Sequence, residues 1–143
     1  MIAAMITACG GTTEQKSTTG TTTIVQQTNT SDPLSNKGIG PVKQVTLGEI
    51  NQTMATEGEQ IYKSMCSACH KPAEKFIGPA PKGIMERRSP EWVMNMILNP
   101  EEMVKSDPIA KKLLADYNFA PMANQHLTEE QARKVLEYFR TIK

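Results

Sequence analysis

Two cysteines and a histidine within one short run, Cys66-Ser67-Ala68-Cys69-His70, constrain this chain more than any other feature of its sequence. Two thiols at that spacing near a helix end can add across the two vinyl groups of one porphyrin, and the adjacent imidazole then lies beneath the iron. A dithiol redox pair uses the same C-x-x-C spacing but sits in a strand-helix-strand frame, of which the sequence has no sign. A zinc site needs a second ligand pair, and only Cys9 and His126 remain to supply it. The expected chemistry is one covalent haem c, with Cys66 and Cys69 as its attachment points and His70 as an axial iron ligand; dithiol and zinc chemistry are the remaining readings.

Composition agrees with a domain built around an apolar cofactor. Only 38% of the 143 residues are hydrophobic and 5% aromatic, lean for a core made of side chains alone. The net charge of +1 gives no basic face of the kind nucleic acids select, so no nucleic-acid partner is expected. No apolar run reaches the roughly 18 residues of a membrane-spanning helix.

Residues 1–9, Met-Ile-Ala-Ala-Met-Ile-Thr-Ala-Cys, close an apolar stretch on a cysteine, and Ile6-Thr7-Ala8-Cys9 resembles the lipobox of bacterial lipoproteins. That resemblance implies lipidation of Cys9 and a membrane anchor there. The stretch before Cys9 is too short for a charged region plus an apolar core of about 7 to 15 residues, which a truncated or misassigned start explains. Residues 10–41 are dominated by Ser, Thr, Gly, Gln and Asn and cannot offset their ordering entropy by burial, so a flexible tether is expected. As a random coil it spans on the order of 30 Å.

The folded domain is expected over 42–143. Val42, Val45, Leu47 and Ile50 form an irregular lead-in, and a first helix runs from about Met54 to Cys66 with Thr53 as its N-cap. Ser89-Pro90-Glu91-Trp92 combines a capping hydroxyl, a proline at the first helical position and a carboxylate at the positive dipole end. Asn99-Pro100 and Asp107-Pro108 repeat that grammar. Thr128-Glu129-Glu130-Gln131 is a capping box, after which Ala132, Val135, Leu136, Phe139 and Ile142 share one helical face. The fold class is all-α, four to five short helices around the haem.

On these residues the chain from about 53 onward resembles the class I c-type cytochromes with a single haem. The resemblance implies a close crossing of first and last helices, with Gly58 and Tyr62 facing Leu136 and Phe139. It implies that the Pro79 carbonyl in Gly78-Pro79 accepts a hydrogen bond from His70 Nδ1, leaving Nε2 for iron. It further implies that Met122, in the loop before the last helix, is the second axial ligand, although this chain has Pro121-Met122-Ala123 where many members have Met-Pro. Met94, Met96 and Met103 fall in apolar helical patterns and read as core, and His126 reads as a loop residue, with bis-histidine ligation the alternative.

Ile77, Ile84, Met85, Val93, Ile97, Leu98, Leu113, Leu114, Tyr117 and Phe119 are expected to line the haem crevice. Trp92 is expected to pack on the porphyrin or donate its indole N–H to a propionate, and Arg87 or Arg88 to neutralise one. Between Lys71 and Arg88 basic residues outnumber acidic ones, a rim suited to an acidic partner. The function so implied is one-electron transfer, Fe(II) to Fe(III) and back, between periplasmic or membrane redox partner proteins, without bond chemistry on a substrate. The alternative is a haem enzyme or a gas or peroxide sensor with an open sixth iron position. Localisation is expected to be periplasm-facing, on a bacterial membrane.

Overall fold

Local signals for helix starts are dense after residue 50, and the structure honours nearly all of them. The computed structural model describes residues 32–143. Among these are five α-helices and no strand: α1 Gln52–Met65, α2 Pro90–Leu98, α3 Pro100–Ser106, α4 Pro108–Asp116 and α5 Glu129–Thr141, with a 3-10 turn at Ile84–Glu86 before α2. None of these helices is long and apolar enough to cross a membrane.

Each proline start works as its chemistry dictates. Ser89 Oγ accepts from Trp92 N at 3.1 Å and Asp107 Oδ1 from Ala110 N at 2.8 Å, while Pro90 and Pro108 occupy positions whose N–H groups have no helical partner. Asn99 ends α2 and begins α3 without a side-chain cap. The capping box of α5 is complete, with Thr128 Oγ1 accepting from Gln131 N and Gln131 Oε1 from Thr128 N. Thr53, expected to cap α1, lies inside its first turn instead. Asn51 is the cap, its carboxamide oxygen accepting from Met54 N at 3.0 Å.

The principal packing in the fold is α1 on α5. Gly58 makes it possible: a Cβ there would collide with the Lys134 carbonyl, so the helix backbones touch directly. The contact falls on the Lys134–Val135 backbone rather than on the Leu136 side chain. Tyr62, one turn further, packs edge-on against Phe139 with centroids 5.8 Å apart and against Tyr138 at 5.3 Å. Val135 and Leu136 are fully buried beneath this crossing.

The same interface holds a buried acid. Glu137 is inaccessible to solvent and accepts from Arg133, from Arg140 Nη1 at 2.7 Å and from Asn51 N at 2.7 Å. Burial alone would raise its pKa; the two guanidiniums and the Asn51 amide outweigh it and hold the carboxyl below its usual range.

Part of the stretch expected as a tether, 10–41, is in contact with the helical domain. Residues 32–41 belong to the described structure, and from Asn36 the chain is bound as a strap across α2. Asn95 donates to the carbonyls of Lys37 and Val42, both at 2.9 Å, and accepts from Val42 N at 2.9 Å. Glu91 accepts from Val45 N at 3.0 Å, and Ser89 Oγ donates to the Asn36 carbonyl at 2.6 Å. Gly40 is glycine because a Cβ would strike the Asn95 side chain. Polar backbone pairing orders this stretch together with the burial of Val42 and the packing of Ile39 and Val45 on the core, and that pairing is what its composition alone does not reveal.

Candidate functional site

α1 delivers the paired thiols. Its backbone continues past its end through one further helical turn, Cys69 N to Cys66 O at 3.1 Å and His70 N to Cys66 O at 2.9 Å. That turn sets Cys66, Cys69 and His70 along one wall of a cleft. Neither Cys66 nor Cys69 forms a disulfide; Cys66 is partly buried and Cys69 exposed. Burial, aided by Cys69, pushes the Cys66 thiol up to about 11, opposite to the shift that activates a redox dithiol. Among the described residues no group of three His, Cys, Asp or Glu side chains is placed to hold a metal ion.

His70 is fixed from two sides. Its Nδ1 lies 2.8 Å from the Pro79 carbonyl oxygen, so Nδ1 carries the proton and Nε2 keeps its lone pair. Its own carbonyl accepts from the Tyr62 hydroxyl at 2.6 Å. Gly78 presses on the ring from beside Pro79, where a Cβ would stand 2.7 Å from Nδ1. Tyr62, buried in the α1–α5 contact, has its phenol pushed up to about 12 by desolvation, with Tyr138 and Cys66 adding to it.

The cleft has a volume of about 230 Å³ and its wall is mostly apolar. Cys66, Cys69, His70, Pro79, Trp92, Tyr117 and Met122 all line it, with Leu113 and Leu114 from α4. A second cavity of about 80 Å³ shares Cys66, His70, Pro79, Trp92 and Met122 and adds Val93, Ile97 and Phe139. The structure thus brings His70 and Met122 to the same cavities from opposite ends of the domain sequence. His126 is exposed, at φ 52°, and lines neither. Cys9 lies outside the described residues.

Three expectations about the wall need correcting. Phe119 is 72% exposed, because a left-handed backbone at Asn118 and Phe119, both at φ 56°, accompanies an outward-facing side chain. Met85 and Leu98 line neither cavity and pack on the core instead. Trp92 lines both cavities, but its indole N–H is already engaged, donating to Asp107 Oδ1 at 3.1 Å. Asp107 also accepts from Asn36 Nδ2 at 2.7 Å, so one carboxylate ties strap, indole and the start of α4 together.

Sequence reasoning missed Asp107, which reads as a helix start and nothing more. Met96, read as core, packs on the core and also lines both cavities, a second role the sequence does not show. The arginines differ in a way the sequence does not show. Arg87 binds the carbonyls of Lys82 at 2.8 Å and Ala80 at 3.1 Å, stapling the loop after Pro79. Arg88 leaves its buried Nε without a hydrogen-bond partner among the described residues.

These residues fit a covalent haem c. Two unpaired thiols, an imidazole with a free Nε2 and a thioether meet at one apolar cleft, and a cation with an unmet donor lies on its wall. The Cytochrome c family matches residues 55–143. No curated protein is significantly similar to the chain. Among solved structures it is similar to a cytochrome c from Rhodothermus marinus, at 46% identity over 72% of this chain and 89% of that one, with a TM-score of 0.69. It is similar also to the cytochrome c domain of a Pseudomonas putida protein, at 29% identity over 58% of this chain and 84% of that one, with a TM-score of 0.54. The geometry and both likenesses converge on the same result: this chain belongs to the cytochrome c family, monohaem proteins that bind one covalent haem c and generally carry electrons.

Proposed function

We propose that the protein is a one-electron carrier whose iron is held between His70 and Met122, with Cys66 and Cys69 as the thioether positions. Bound there, haem c supplies an Fe(II)/Fe(III) couple. The observation that carries the reading is the His70 Nδ1 to Pro79 bond of 2.8 Å on a ring that shares its cavity with Met122. That bond holds the imidazole in the tautomer an axial ligand needs and limits its rotation, so little rearrangement accompanies a change of charge. Met122 offers a soft sulfur that favours the reduced metal, and the apolar wall formed by Leu113, Leu114, Ile97 and Trp92 excludes water and acts in the same direction.

Redox partner proteins are the proposed clients. Lys71 and Lys75 stand by Phe76 and Tyr117 beside the cleft, at 4.9 Å and 4.5 Å from the ring centroids, and such cations favour a partner with an acidic face. We propose further that the chain is a periplasm-facing lipoprotein held to a bacterial membrane through Cys9; the Ile6-Thr7-Ala8-Cys9 pattern supports this, as does thioether attachment, a reaction of that compartment. The mass of protein from a native membrane tests the lipid.

The test of the carrier reading is Met122→Ala in the haem-loaded protein. Loss of the sulfur-to-iron absorption band, a more negative potential and rapid carbon monoxide binding are expected. Unchanged spectra and potential, or rapid carbon monoxide binding by the unaltered protein, would overturn it, the latter in favour of an open-site sensor or enzyme.

A further inference from the structure

Trp92 belongs both to the haem cleft and to the contact with the strap. Its ring lines both cavities, while its pyrrole edge meets Asp107 and the strap: Nε1 donates to Asp107 Oδ1 at 3.1 Å, and a Cβ on Gly38 would stand 3.2 Å from Cδ1. Asp107 is 2% exposed, and its two oxygens have separate tasks. Oδ1 accepts from Trp92 and from Ala110 N, joining α2 to the first turn of α4. Oδ2 accepts from Asn36 Nδ2 at 2.7 Å, joining that corner to the strap. Asn36 cannot turn its amide around, because its own Oδ1 already accepts from Gly38 N at 2.7 Å.

The two helices so joined form one wall of the cleft. Trp92 and Met96 come from α2, Leu113 and Leu114 from α4, and Tyr117 at the end of α4 leads into the loop that carries Met122. The Asn36 carbonyl accepts from Ser89 Oγ, the hydroxyl that also caps α2 at Trp92 N, so the strap holds the start of α2 by a second bond. A hydrogen bond to a carboxylate shielded from water is worth more than one between neutral groups, and Asn36–Asp107 is of that kind.

We propose that Asn36 and Asp107 are positioning residues for the haem site: through their bond the strap clamps α2 to α4, keeps the cleft shut and holds Met122 on the iron. The inference rests on the proposed haem site and goes beyond it, because it gives control of the sixth position to a segment outside the helices. Release of Met122 requires this wall to part, and parting it breaks the Asn36–Asp107 bond. The strap therefore stabilises the closed state and not the open one.

Three variants of the haem-loaded full chain test it. Asp107→Asn keeps an oxygen for Trp92 and Ala110 but turns an amide N–H toward Asn36 Nδ2. Asn36→Asp keeps the acceptor for Gly38 N but sets two carboxylates face to face. The double variant Asn36→Asp/Asp107→Asn restores the bond with its direction reversed and keeps the original net charge. Carbon monoxide binding by the ferrous protein, slow while Met122 holds the iron, is expected to be about tenfold faster in each single variant, the factor one such bond supplies. In the double variant it is expected to return to the unaltered rate. Hydrogen exchange of the Trp92 indole N–H, followed by NMR in the reduced state, should rise and recover in the same pattern, and it reads the wall without the iron. The single variants change the charge in opposite directions, so a shared effect is not one of net charge. Glu137→Gln, which loosens the α1–α5 interface instead, should leave the carbon monoxide rate unchanged, whereas a general loss of stability would raise it. Single variants with unaltered rates, or a double variant no slower than the singles, overturn the proposal while a low-spin, methionine-ligated protein leaves the carrier reading standing. Rapid carbon monoxide binding by the unaltered protein overturns both.

Discussion

His70 Nδ1 and the Pro79 carbonyl oxygen, 2.8 Å apart, are held at that separation by Gly78, whose missing side chain leaves the imidazole its room. A methyl at 78 would stand 2.7 Å from Nδ1, closer than any real Cβ contact, and the ring is bound to the attachment turn and cannot simply move away. Gly78→Ala is therefore expected to rotate His70 out of its bond with Pro79. Reduced haem loading and a loss of low-spin character in the visible spectrum are the readouts. A variant with full loading and an unaltered spectrum would show that the Gly78 contact does not position the ligand.

Gly58 plays the equivalent part for the fold. Its collision partner is the Lys134 carbonyl, a backbone group that cannot yield without parting α1 from α5. Gly58→Ala gains helix propensity yet is expected to destabilise by about 3 kcal/mol, the upper end of overpacking costs. Gly48→Ala, with nothing within 4 Å of the added methyl, is the control and should stay within about 0.5 kcal/mol. Denaturant midpoints of the two variants decide the matter; equal midpoints would mean the crossing has slack.

What could be seen in the sequence was what is local. Ser89-Pro90, Asp107-Pro108 and the Thr128 capping box act over three or four residues, and each starts a helix where expected. The C-x-x-C-H run and the glycine before it are equally local, so the attachment wall was legible. The strap was not, because its partners lie far along the chain: Asn36 and Asp107 are 71 positions apart, Val42 and Asn95 are 53. Polar side chains that recognise a distant backbone leave no periodic trace. Glu137 reads as a surface charge of α5 and is wholly buried, since the arginines that accompany it one turn either side also read as surface. Phe119 misled for a different reason: its left-handed φ of 56°, not its apolarity, accompanies its exposure.

Tyr62 predicts an alkaline weakness. Its phenol is raised from 10.0 to about 12 in the folded state. Between those values the unfolded chain releases a proton that the folded one retains, so stability is full below about pH 10 and falls as pH rises toward 12. Tyr62→Phe should flatten that fall while losing the hydroxyl bond to the His70 carbonyl, at about 1 kcal/mol near neutral pH. Tm measured from pH 8 to 12 in both proteins checks it; parallel curves would assign the alkaline loss elsewhere.

Glu137 predicts the acid counterpart. Its folded pKa is depressed: burial opposes ionisation, but Arg133, the Asn51 amide and Arg140 together favour it. The stability it contributes is present above the usual carboxylate pKa, 4.5, and is lost as pH falls through the lower folded value. Glu137→Gln leaves two guanidiniums facing a neutral amide. Arg133 and Arg140 side chains are 23% and 14% exposed, so water relieves part of the deficit, and about 2 to 3 kcal/mol is expected in place of the full loss for a dry broken pair. Because Gln retains an acceptor for Asn51 N, the start of α1 should stay bound, and the haem spectrum should be unchanged at neutral pH. Denaturant unfolding from pH 7 down to 3 reads the difference: the gap between the two proteins should close as Glu137 takes up its proton. A gap that persists at the lowest pH would mean that the packing of the amide, not the missing charge, weakens the variant.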